Sequence, residues 1–250
     1  MNALTEKAFC IPLLEDRRHR QSSLEASFRQ AQELAGIPIA SSVDNKALNQ
    51  LIKISNKVLR QVELEGEQLA KKGQEPAYHN RQHLADALLA LGAFLKQTPQ
   101  LSPDLKQLML LVILVHDLGH RGLSYRDPNG VSHEEESVRL LKNTAINELS
   151  NEQQALIIKL VLGTTPASLL EVNSRYLEHP DNEGFLMQSL INDADIAASF
   201  IPNLAYLLTK LILLELGSTN PSENEIESAY QDFRSQYFIT TSIAKTCLGL

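Results

Sequence analysis

The chain has 250 residues, 43% hydrophobic, 21% charged and 5% aromatic, with no tryptophan. This is an ordinary globular composition, enough for one large domain or two small ones. The formal net charge of −7 argues against a general nucleic-acid binder, which needs a basic face, but not against a small phosphorylated substrate whose charge a bound metal offsets.

Cys10 and Cys247 are the only cysteines and lie near opposite ends of the sequence. They make no disulfide framework and favour a reducing compartment. Met1–Ile11 contains Glu6 and Lys7 and lacks the apolar core of a secretory signal. No run reaches the roughly 18 apolar residues of a membrane span. The expectation is a cytoplasmic protein with no membrane partner.

Residues 1–21, which carry the charge cluster E-D-R-R-H-R at positions 15–20, are expected to be a solvated N-terminal tail. Ser22 or Ser23 caps a helix to about Ala35, which Gly36 and Pro38 end. Asp44 caps the next, to about Lys72, with Leu48, Leu51, Ile52, Ile54, Val58, Leu59 and Val62 at helical spacing. A helix from about Asn80 to Lys96 follows, then a central helix announced by the cap, proline and acid of Ser102-Pro103-Asp104.

That central helix is the organising stretch. Leu108 to Val115 is unbroken apolar sequence and delivers His116, Asp117 and then His120. A helix apolar on all sides belongs in a core, and a carboxylate carried there needs a partner or a metal. The bland alternative is a helix end whose histidines answer the dipole. Residues 121–130 read as a loop, and Ser132 with Glu135 as a capping box. Helices follow over about Glu152–Leu162, Phe185–Ser199, Pro202–Gly217 and Pro221–Cys247, with residues 171–184 read as loop. The leucine-rich helix 204–216 is read as core, with a homodimer face as the alternative. No strands alternate, so residues 22–250 are expected to form a single compact all-α domain with its chemistry between about 75 and 200.

The chemistry-bearing residues fall in four places. His79 and His83 are four apart, which on a helix puts them on one face. His116, Asp117 and His120 are the second group, His133 the third, and Asp193 with Asp195 the fourth. The two aspartates sit among Leu190, Ile191, Ala194, Ile196 and Ala197, a context that disfavours simple solvation. Nitrogen and carboxylate donors suit Zn²⁺, Mn²⁺ or Fe. No glycine-rich phosphate loop and no serine triad is evident.

The order Y-H-N-R-Q-H, H-D-L-G-H-R-G-L-S and A-D-I resembles the HD superfamily of metal-dependent phosphohydrolases. Within that superfamily it resembles the cyclic-nucleotide phosphodiesterases, over roughly residues 75–200. The resemblance implies an all-helical HD/phosphodiesterase-type domain with divalent ions, two of them, drawn from Zn, Mn, Mg or Fe. It implies that His83, His116, Asp117 and Asp195 bind the first metal, with Asp117 bridging to a second held largely by water. His79 takes the place of the general acid. His120 lines the metal-activated water or the second metal, His133 is a further polar contributor, and Asp193 is the reserve for Asp195. Thr164 is read as packing. Gln236, in R-S-Q-Y-F-I, faintly matches a purine-reading glutamine.

The implied activity is hydrolysis of a phosphodiester such as a 3′,5′-cyclic nucleotide. The alternatives are a phosphomonoesterase or pyrophosphohydrolase acting on nucleotides or small metabolites, a di-iron oxygenase, and a non-catalytic sensor domain. The chain departs from the phosphodiesterase pattern where S-V is followed by R-L-L-K-N, without the acidic residue and paired histidines that the family carries there.

Overall fold

Side-chain caps written into the sequence set most of the helix starts. The computed structural model describes residues 10–20, 22–38, 45–125 and 127–250, and among these there is no strand. In chain order the helices are α1 (Cys10–Arg20), α2 (Leu24–Leu34), α3 (Lys46–Lys71), α4 (Arg81–Lys96), α5 (Pro103–Val115) and α6 (His133–Leu141), then α7 (Asn151–Leu162), α8 (Pro166–Glu178), α9 (Glu183–Ile196), α10 (Pro202–Glu215), α11 (Glu223–Gln236) and α12 (Ser242–Leu248). Single 3-10 turns lie at Ala145–Glu148 and Ala197–Phe200. Ser23, Ser102 and Ser132 each accept the backbone N–H that the capping patterns foretold, Ser132 in a full capping box with Glu135.

The architecture is all-α and forms one domain around α4, α5 and α9, which pack on one another. Every residue of α5 from Lys106 to Val115 is buried, as is every residue of α4 from His83 to Leu95. The helices around them close this core, and α2 crosses α4 where Gly92 has no side chain. A Cβ there would lie 2.7 Å from the backbone of Ala31. One polar thread runs through the core: Gln32 Nε2 donates to Gln107 Oε1, and Gln107 Nε2 donates to Ser55 Oγ. Each buried amide is thereby paired, which removes most of its desolvation cost.

Four expectations need correction. Residues 10–20 are not tail: α1 docks on α4 with Cys10, Leu14 and Arg17 buried. The reason is Asp86, buried on α4, which accepts from Arg17 NH1 at 2.7 Å and from Arg18 Nε at 2.7 Å. Two of the arginines in the charge cluster are therefore counter-ions for the core. Asp44 lies outside the described residues, and Asn45 is the observed cap of α3.

Residues 171–178 are helix rather than loop. Thr165 caps α8, Pro166 occupies its first turn, and Leu169, Asn173 and Tyr176 turn inward while the polar residues face out. Finally, 221–247 is two helices, because Asp193 takes the backbone N–H of both Thr240 and Thr241 and holds residues between α11 and α12 out of helix. Among the described residues no single helix is long and apolar enough to cross a membrane.

Candidate metal centre

The apolar run of α5 ends at Val115, and His116 is its C-cap. Asp117 to Gly119 then turn, with Gly119 at φ 76°, a left-handed conformation that glycine adopts without strain. A Cβ on Gly119 would also strike Leu140 of α6 at 2.3 Å. This turn sends His120 back toward α4 and α10 instead of onward along a helix axis. His83 comes from the first turn of α4 and Asp195 from the last turn of α9.

His83, His116 and Asp195 form one group close enough to hold an ion, and His79, His120 and Glu215 form another. Hydrogen bonding separates the chemistry of the two. In the first group, His116 Nδ1 donates to the carbonyl of Ile113 at 2.8 Å. That fixes the tautomer and turns the Nε2 lone pair inward, as ligand histidines require. Nε2 of His83 and Oδ2 of Asp117 are buried with no hydrogen-bond partner. Yet His83 Nε2 lies 2.9 Å from Asp195 Oδ1 and 3.4 Å from Asp117 Oδ2, and His116 Nε2 lies 3.1 and 3.4 Å from the same two oxygens. With metal–ligand bonds of about 2.1 Å, neighbouring ligands sit about 3.0 Å apart in an octahedron and about 3.4 Å apart in a tetrahedron. The donors of His83, His116 and Asp195 therefore fit a shared cation, and Asp117 Oδ2 lies 3.4 Å from both histidine nitrogens.

Without that cation, protons must do its work. Burial opposes the charged form of His116, but the carboxylates of Asp117 and Asp195 overcome it and lift His116 to about 9. Burial likewise works against Asp117 and Asp195, and the neighbouring histidines outweigh it and hold both carboxylates below their ordinary range.

The second group is already hydrogen-bonded. Glu215 Oε2 accepts from the backbone of Tyr78 and His79, at 2.7 and 3.0 Å. Its Oε1 accepts from His79 Nδ1 at 2.6 Å and from the Leu123 backbone at 3.0 Å. The carboxylate is thus filled as an acceptor. Burial would raise Glu215, but these donors, His79 foremost, bring it down to about 2. His120 Nδ1 accepts from the Gly122 backbone at 3.0 Å, so any ring proton on the neutral imidazole is on Nε2. Burial and the charge of His79 press His120 down to about 3. The rings of His79, His120 and His133 stack in a column, with centroids 4.0 and 3.9 Å apart. This group is a hydrogen-bonded histidine array anchored by Glu215, also close enough to hold an ion.

The residues singled out in the sequence are therefore divided. His83, His116, Asp117 and Asp195 converge, and His79, His120 and His133 line up beside them. His79 precedes α4, whose cap is Asn80, so His79 and His83 do not share a helical face and enter different groups. Asp193 points away. Buried on α9, it accepts from Thr240 N, Thr241 N and Thr241 Oγ1, and burial outweighs these bonds to push it up to about 6. Thr164 is buried and donates to the Val161 carbonyl, as packing requires. Gln236 is exposed at the end of α11. The residue after it, Tyr237, feels the charge of Asp195 on a hydroxyl raised chiefly by burial.

Glu215 is the residue that the sequence reading passed over, within the leucine-rich helix read as core. A lone carboxylate closing L-L-T-K-L-I-L-L-E is the same signal that drew attention to Asp117. No protein-family model matches the chain, and no curated protein matches it.

Proposed function

We propose that this chain is a metal-dependent phosphohydrolase of the HD type, cleaving a phosphodiester such as a 3′,5′-cyclic nucleotide. One observation carries the reading. Two buried donor atoms without hydrogen-bond partners lie at ligand spacing from their neighbours: His83 Nε2 is 2.9 Å from Asp195, and Asp117 Oδ2 is 3.4 Å from His83 and His116. Alongside them stands a histidine–carboxylate pair that makes no such gap. The order of these residues along the chain supports the same reading.

His83, His116, Asp117 and Asp195 would hold the divalent ion. A bound divalent ion supplies a water acidic enough to attack at neutral pH and positive charge for the phosphoryl oxygens. The rest of the chemistry belongs to the chain. Glu215 fixes the His79 ring through Nδ1, which leaves Nε2 as the nitrogen that carries a transferable proton. Donation of that proton to the departing alkoxide is general-acid catalysis. His120, neutral and stacked on His79, offers Nε2–H as a hydrogen-bond donor without adding a charge beside the metal ligands.

The test is chromatographic detection of product from cyclic AMP and cyclic GMP, with the protein loaded with Mn²⁺ or Mg²⁺ and Asp117→Ala as control. Turnover by the native chain and none by the variant is the expected result. Bound metal without turnover of either substrate would overturn the cyclic-nucleotide assignment and point to nucleoside monophosphates.

A further inference from the structure

The fold brings α1 and α12 together and, with them, the two cysteines of the sequence. Cys10 opens α1 and Cys247 lies in the last turn of α12. The two helices pack together. Both side chains are free thiols, 0% and 1% exposed. The two side chains act on one another: the neighbouring Cys247, with burial, pushes the Cys10 thiol up, and Cys10 draws Cys247 down, helped by the charge of Lys96. Buried cysteines commonly pack as small apolar residues. That accounts for the burial of each, but not for their apposition from opposite ends of the sequence.

The two helices also brace the metal-bearing elements. α1 reaches α4 through Arg17, Arg18 and Asp86. The segment leading into α12 reaches α9 through Thr240, Thr241 and Asp193. A covalent link between α1 and α12 would therefore join the supports of His83 and Asp195.

We propose that Cys10 and Cys247 are a redox-modification site that closes to a reversible disulfide, stapling α1 to α12. The co-reactant is a small exchangeable disulfide such as oxidised glutathione. The Cys247 thiolate attacks one of its sulfurs, forming a mixed disulfide and expelling one glutathione thiolate. Cys10 then loses its proton and attacks the Cys247 sulfur. The mixed disulfide breaks, the Cys10–Cys247 bond forms, and a second glutathione thiolate leaves. Two protein thiols are oxidised, one glutathione disulfide is reduced to two thiols, and the two protein protons pass to the products. Access comes from opening α12, a helix of only seven residues. Local opening of short elements costs less than global unfolding.

This inference rests on the chain ends and stands or falls apart from the phosphohydrolase reading. The test equilibrates the full-length protein in a series of glutathione redox buffers, with and without denaturing urea. Thiols are trapped by alkylation and the linkage is mapped by mass spectrometry. A folded structure that holds the sulfurs together favours the disulfide over the unfolded chain by a factor of about 100. The Cys10–Cys247 bond is thus expected at about 100-fold more reducing ratios in native buffer than in urea. In the oxidised form the α12 amides are expected to exchange with solvent at least about tenfold more slowly. The same midpoint in both conditions, a more oxidising midpoint in the native state, or glutathione adducts on Cys247 that never close would each overturn the proposal. Cys10→Ser and Cys247→Ser calibrate the adduct masses, and the native-against-urea comparison decides the matter even if either variant folds poorly.

Discussion

His116 uses its two nitrogens for separate tasks, Nδ1 to hold the Ile113 carbonyl and Nε2 to face Asp117 and Asp195. In the metal-free protein it binds its proton more tightly folded than unfolded, because those carboxylates overcome its burial and lift it to about 9. Its contribution to stability is therefore complete below the unfolded value of about 6.5 and is lost as pH rises through about 9. Urea midpoints of the chelated protein should fall across that window, and His116→Gln should flatten the profile. Ligand histidines must shed protons to bind metal, so metal affinity should rise over the same interval. At Glu215, replacement by Gln keeps the shape but exchanges two acceptor sites for donors and removes the charge holding His79. Turnover should fall by about 10- to 100-fold while metal content stays at the wild-type level; lost metal would instead make Glu215 a ligand. That His83, His116 and Asp195 come together was expected from the resemblance, and His116, Asp117 and Asp195 stood out in the sequence against apolar runs. The choice of Asp195 over Asp193 rested on the resemblance in A-D-I alone, because both share that background; the folded C-terminal segment shows the physical difference, since Thr240 and Thr241 claim Asp193.

Between the elements, α1 and α12 act as braces, and each brace passes through a buried acid. Asp86 neutralises Arg17, which is 3% exposed. Asp86→Ala leaves that guanidinium buried without its partner, which costs about 3–5 kcal/mol. Equilibrium urea unfolding should show a midpoint shift of that size, and an unchanged midpoint would mean α1 is dispensable. Asp193→Ala strips the acceptor from two backbone N–H groups and a hydroxyl, a loss of about 2–3 kcal/mol once relief of the buried charge is allowed for. Faster amide exchange confined to α12 and residues 237–241 is the expected signature. These braces explain the misread segments. A cluster such as E-D-R-R-H-R has the composition of solvent-facing chain, and only Asp86, distant in sequence, makes it a docking helix. α8 was hidden for the opposite reason, since polar residues on its outer face mask the inward spacing of Leu169, Asn173 and Tyr176.

At the scale of the molecule, α4, α5 and α9 contribute one or more donors each, so the cation site exists only when all three are packed. Metal binding then adds to folding stability by mass action, about 2.7 kcal/mol at a free concentration 100 times the dissociation constant. Thermal unfolding with Mn²⁺ and then with a chelator should show the lower midpoint without metal, while Asp195→Ala should respond to neither. The separation of His83, His116 and Asp195 along the chain has a further, kinetic consequence. Ligands that meet only after distant segments have docked form late, so an ion held there does little to speed folding. It must be given up before the helices can part, and it therefore lengthens the lifetime of the native state. The centre would thus work as a latch on the finished fold, closing after assembly and setting the pace of its undoing.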